Sequence, residues 1–115
     1  MADHLTEAEG LCQKTLEVLE GQTSLPSEKL EFMRKGLQGL LPVIAASKRK
    51  VMVRSARGQK LAQEILDHAS KLYEAVSLPR PEGKAVDEIV SRLESVGGSV
   101  KKLEIYWKSF EYATT

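Results

Sequence analysis

The chain has 115 residues, with 17 Lys plus Arg against 16 Asp plus Glu, one cysteine and six aromatics. That length is one domain, able to bury roughly two-thirds of its unfolded surface, and a composition 42% hydrophobic and 29% charged excludes disorder. The single cysteine, Cys12, excludes an internal disulfide and a Cys-based zinc site.

The first residues, Met1-Ala2-Asp3-His4-Leu5-Thr6-Glu7, lack the basic and apolar regions of a secretory signal, and Glu7 and Glu9 oppose a mitochondrial presequence. The longest uncharged run, Gly36 to Ser47, is 12 residues and contains Pro42, whereas a membrane span needs about 20 apolar residues. The expectation is a soluble, cytoplasmic protein without a transmembrane segment.

Helical periodicity runs almost throughout. In the first segment Asp3 or Thr6 is the expected N-cap, and Thr6-Glu7-Ala8-Glu9 has the spacing of a capping box. Leu5, Ala8, Cys12, Leu16 and Leu19 make one apolar stripe, and Gly21 ends it. The second segment opens at Ser24-Leu25-Pro26-Ser27-Glu28, with Leu30, Met33, Leu37, Leu40 and Ile44 as its stripe. Pro42 predicts a kink or a new helix, with a break near residues 41–47.

The third segment reaches about Ser77. Ile44, Val51, Ser55, Gly58, Ala62, Ile65, Ala69, Leu72 and Val76 keep close to a heptad. Two readings stand for its middle. Either Ser55, Gly58 and Ala62 let a neighbouring helix approach one long rod, or Gly58 ends one helix and a second begins.

Leu78-Pro79-Arg80-Pro81-Glu82-Gly83 is a loop. The fourth segment, Lys84 to about Ala113, places Val86, Ile89, Leu93, Val96, Val100, Leu103, Trp107 and Phe110 at unbroken three- and four-residue steps. Gly97-Gly98 lies off this stripe and predicts a local kink. The fold class is therefore all-α: a single domain over residues 1–115, an antiparallel bundle of four helices with the last two longer.

Signatures of catalysis are absent. Gly36-Leu37-Gln38-Gly39 is not a phosphate loop, and there is no nucleophile elbow, HExxH or CxxC. Glu64 and His68 have a spacing used in helical metal sites, but a second such pair is missing. Cys12, on a buried stripe near Glu9, reads as a core residue. No enzyme activity, cofactor or metal is expected.

The charge pattern is the most informative feature. Residues 1–31 carry seven acids and two bases, residues 32–63 eight bases and no acid, and residues 64–115 nine acids and seven bases. Wound as one helix, Arg49, Lys50, Arg54, Arg57 and Lys60 fall in an arc about 140° wide. Val53 on that arc and Leu61 at its edge are odd placements for apolar residues. Like charges so placed repel. The arc is offset by the acidic first helix (Glu7, Glu17, Glu20) and by salt, or by an acidic segment of a partner, or by a polyanion.

At the other end of the sequence, Tyr106, Trp107, Phe110 and Tyr112 gather four of the six aromatics. They close the bundle end or anchor a partner, and Tyr112 lies off the core stripe. Together these features predict a non-catalytic protein-interaction module, an adaptor or regulatory subunit. Arg49, Lys50, Arg54, Arg57 and Lys60 supply charge, and Trp107 and Tyr112 apolar contact. The expected partner is another protein with an acidic or helical segment, or a second copy paired in coiled-coil fashion. The alternative is nucleic acid or an anionic membrane surface bound through the same cations.

Overall fold

The computed structural model describes residues 3–21, 26–77 and 84–113, with side chains through Phe110 in the last stretch. Among the described residues four helices form: α1 (His4–Glu20), α2 (Ser27–Lys48), α3 (Ala56–Val76) and α4 (Lys84–Ala113), with a 3-10 turn, Val51–Arg54, between α2 and α3. Ser24, Leu25 and the Leu78–Gly83 loop lie outside the described residues.

The stripes become the core. Leu5, Ala8, Cys12, Leu16 and Leu19 of α1 are buried, as are Met33, Leu37 and Ile44 of α2. In α4 every stripe position from Val86 to Trp107 is buried, and the helix passes through Gly97-Gly98 without interruption. At about 1.5 Å per residue α4 is about 45 Å long, close to the 48 Å long axis of the molecule. The extra length sits in α4, at 30 residues; α2 and α3 have 22 and 21.

α1 packs on α2 and α3, and α4 packs on α2 and α3. The Glu9–Lys48 ion pair sets α1 antiparallel to α2. Gly36 against Leu93, Leu40 against Gly97 and Ser47 against Trp107 advance together, so α2 and α4 run parallel. Ser55 meets Tyr106 and Lys71 meets Arg92, so α3 and α4 are antiparallel. The helices therefore alternate in direction along the chain, but around the bundle the order is α1–α2–α4–α3. The link from α2 to α3 crosses a diagonal, over one end of the core.

Three local expectations are corrected. The Thr6–Glu9 capping box does not form. Leu5 is fully buried on the stripe of Ala8 and Cys12, so the helix has begun by His4 with Asp3 as N-cap, and the Glu9 carboxylate takes Lys48 Nζ at 2.7 Å instead. The break is not at 41–47, because α2 runs through Pro42 to Lys48. Pro42 faces solvent, where the carbonyl of Gln38, deprived of its N–H partner, can bond water.

The third correction concerns the basic stretch itself. Residues 48–60 are not one rod. Arg49 closes α2, Lys50 is extended (φ −88°, ψ 127°), residues 51–54 form the 3-10 turn, and Ser55 (φ −66°, ψ 165°) caps α3. This interruption resets the helical phase. Val51, on the expected stripe, is 78% exposed, while Val53, on the expected polar arc, is 3% exposed and Leu61 is buried. Val53 thereby covers the end of the core beneath the crossing.

The turn is tightly bonded. Ser55 Oγ donates to Met52 O at 2.7 Å and accepts from Gly58 N at 3.1 Å. Gln59 Nε2 donates to Val53 O at 2.9 Å, and Val53 N to Lys50 O at 3.2 Å. Gly58 neither ends a helix nor seats a neighbouring one. It sits in the first turn of α3 against its own upstream backbone, where a Cβ would lie 2.5 Å from Val53 O and 2.6 Å from Met52 O.

Gly58→Ala should therefore destabilise the fold by about 2–3 kcal/mol, since rigid backbone has to yield. Gly39→Ala, in mid-α2 with nothing within 4 Å of the added carbon, should stabilise it by about 0.5–1 kcal/mol. Urea unfolding followed by circular dichroism distinguishes the two signs.

Candidate functional site

The crossing, the start of α3 and the end of α4 meet at one end of the bundle. Over residues 48–60 and 101–113 the sequence holds nine bases (Lys48, Arg49, Lys50, Arg54, Arg57, Lys60, Lys101, Lys102, Lys108) against two acids, Glu104 and Glu111. Because the helix is broken, the cations fan across this end instead of lining one face. Arg49 lies at the α2 terminus, Arg54 closes the 3-10 turn, and Arg57 and Lys60 lie in the first turns of α3. All four are exposed.

Three of the basic residues are held within the fold, Lys108 among them by an ion pair with Glu104 at 3.3 Å. Lys48 pairs with Glu9, the part of the acidic first helix that does reach the basic stretch. Lys50 Nζ lies 4.5 Å from the Trp107 ring centroid, with Lys108 Nζ at 5.7 Å, a favourable placement of cations against an indole π-face. Arg49, Arg54, Arg57, Lys60, Lys101 and Lys102 make no ion pair among the described residues. Arg57 also occupies the first turn of α3, which contains no acidic residue. A cation there opposes the partial positive charge of the helix start by about 0.3–1 kcal/mol at low salt.

Trp107 is 6% exposed, and its place is in the core. Its indole N–H donates to Ser47 Oγ at 2.9 Å, and that hydroxyl donates to Val43 O at 2.8 Å. The chain of two bonds satisfies both polar groups where water does not reach. Trp107 thus plugs the bundle end and presents no face to a partner. Tyr112 is in the last turn of α4, and its side chain lies outside the described residues.

Exposed apolar side chains occur elsewhere at this end. Among the described residues the large ones are Phe32 (55%), Val51 (78%), Ile105 (59%) and Phe110 (39%), and three of these four sit on the crossing or the end of α4. A cleft of about 410 Å³ opens between α3 and α4, lined by Arg57, Leu61, Glu64, Lys102, Ile105 and Tyr106. Its tyrosine is fixed. Ser55 Oγ and Tyr106 Oη lie 2.8 Å apart, and since the single Ser55 proton goes to Met52 O, the Tyr106 hydroxyl is the donor. The Tyr106 ring meets Phe110 edge-on with centroids 5.1 Å apart.

Lys101, Lys102 and Ile105 escaped the sequence reading, although a signal for them existed. Reflecting α3 through the middle of the 78–83 loop carries Lys60 to Lys101 and Arg57 to Glu104, next to Ile105, and the observed Ser55–Tyr106 pair follows that register.

Cys12 offers no chemistry. Its side chain is fully buried, and burial, with Glu9 nearby adding to it, pushes the thiol from 9.0 to about 11. A group held protonated by the fold stabilises it fully below its unfolded value and loses that contribution as pH rises through the folded one. The stability difference between the protein and its Cys12→Ala variant should therefore narrow from pH 9 towards pH 11 in denaturant titrations. Ser47→Ala strands the indole N–H and should lower stability by about 1–3 kcal/mol, read in the same titrations by tryptophan emission.

His68 and Glu64 lie one turn apart on α3, and among the described residues no cluster of three His, Cys, Asp or Glu side chains capable of holding a metal is assembled. Among the described residues no helix is long and apolar enough to cross a membrane. Set against known protein families, curated proteins and solved structures, the chain matches none of them.

Proposed function

We propose that this chain is a non-catalytic interaction module, an adaptor or regulatory subunit, whose basic end captures an acidic, partly apolar segment of another protein. The observation that carries this reading is the meeting, at one end of the bundle, of four exposed cations that make no ion pair among the described residues and three exposed apolar side chains. Arg49, Arg54, Arg57 and Lys60 draw an acidic chain in, and Val51, Ile105 and Phe110 give it apolar surface to bury. Long-range attraction then sets the rate of encounter while the apolar contacts set residence.

A polyanion reading uses the same cations but leaves the apolar groups idle. Contact with phosphates needs charge alone, and Val51 and Ile105, two of the three exposed apolar side chains at this end, have no π-face to stack on bases. An anionic bilayer favours a continuous amphipathic face, whereas Ile105 here lines a concave cleft that also holds the Glu64 carboxylate.

Selection from a random-peptide display library tests the proposal. Enriched peptides should combine Asp or Glu with Leu, Ile, Phe or Trp. Arg54→Glu/Arg57→Glu should weaken their binding roughly tenfold or more, a loss of about 1.4 kcal/mol. The same double variant should melt no lower than the parent, because it removes repulsion and places an acid in the first turn of α3. Peptides without acidic bias, or affinity unmoved by the reversal, would overturn the reading. Tight binding of duplex DNA or phosphatidylserine vesicles at physiological salt would transfer the site to the polyanion class.

A further inference from the structure

We infer that the apolar anchor of the bound segment enters the cleft between α3 and α4, and that the occupant is a short acidic amphipathic helix lying along it. This deepens the reading above and rests on it.

Charge singles out this cleft among three grooves lined by described residues. The furrow between α1 and α2 is lined by Thr6, Glu9, Gln13, Gln38, Leu41 and Pro42, with no cation in its lining and the nearby Lys48 already paired with Glu9. The furrow between α1 and α3 mixes Glu7 and Asp67 with Lys14. Of these three grooves of described residues, the α3/α4 cleft alone combines Arg57 and Lys102 at its edges with an exposed large apolar side chain, Ile105, beside buried Leu61. Lys60, exposed on the same turns of α3, adds to the field.

Size and shape select a helix. Arg57 and Glu64, its limits along α3, are two turns apart, about 10 Å. Apolar residues at i, i+4 and i+7 of an amphipathic helix cover the same length. A volume of about 410 Å³ lies within the range of sites that take ligands. Tyr106, pinned by Ser55 and braced by Phe110, gives the cleft a wall that does not have to be ordered on binding. Glu64, at the cleft end away from Arg57, repels acids there, so the occupant's negative charge concentrates towards the bundle end.

The test is fluorescence anisotropy with labelled synthetic helical peptides of about 14 residues, four turns. One carries Leu at i, i+4 and i+7 with Glu elsewhere on its flanks; a second has Lys for each Glu; a third has Ser for each Leu. The acidic Leu peptide should bind the full chain, and the other two at least tenfold more weakly. Ile105→Ser should weaken binding roughly tenfold, as expected for an apolar anchor, and leave the salt dependence as steep as before. Arg57→Ala should weaken it and flatten the salt dependence. Phe32→Ser, away from the cleft, should change nothing.

Affinity untouched by Ile105→Ser but abolished by Arg54→Glu/Arg57→Glu would overturn the cleft assignment while leaving the basic-end reading standing. Affinity untouched by either would remove both. Failure of the acidic Leu peptide to bind at low salt would overturn the helical occupant, as would its displacement by phosphatidylserine vesicles or duplex DNA in an Ile105-dependent manner.

Discussion

The organisation of the basic end depends on one close approach, the first turn of α3 folded against the backbone of Met52 and Val53. Only a residue without a Cβ fits where Gly58 stands. That approach lets Ser55 bond forwards to Gly58, backwards to Met52 and sideways to Tyr106. The link from α2 to α3 can then cross the core in seven residues and leave Val53 over its end. A straight helix through this stretch would carry Val53 out to solvent, Val51 inwards, and the cations onto one face.

Much of the architecture was legible because apolar periodicity reports burial directly. Every stripe residue named for α1 is buried, and so is α4's stripe through Trp107. The start of α4 was visible too, since the sequence before Lys84 is rich in Pro and Gly. The misreadings have physical causes. Pro42 resembles a breaker, yet a proline on the solvent side of a helix leaves its orphaned carbonyl to water. Thr6 resembles a cap, yet burying Leu5 stabilises the helix more than a capping hydrogen bond does. The seam between α2 and α3 was hidden because Val51, Ser55, Gly58 and Ala62 happen to continue a heptad. The misplaced Val53 and Leu61 were the residues that betrayed it.

The site was less legible than the fold. Charge density over residues 32–63 marked most of what becomes the basic end of the molecule, because it depends on composition and not on phase. Which cations face solvent depends on tertiary partners that the chain order conceals. Lys48 is taken by Glu9, 39 residues away, and Lys50 lies over an indole from the last helix. Trp107 suits a core plug first and an interface second on sequence, and Ser47, 60 residues away, supplies the partner for its N–H that places it in the core. Ile105 stood off every stripe and drew no notice, since an isolated exposed apolar residue is ordinary. It gains meaning from the cleft beside it.

The diagonal crossing also shapes the field of the molecule. In a bundle whose sequential helices are neighbours all the way round, every adjacent pair is antiparallel and terminal partial charges alternate. Here α1 stands beside α3 and α2 beside α4, each pair parallel. Two positive starts share one edge of the basic end and two negative finishes share the opposite edge. The surface is thus polarised across its width as well as charged, so the proposed ligand, with its unequal ends, would meet a platform that distinguishes one heading from its reverse.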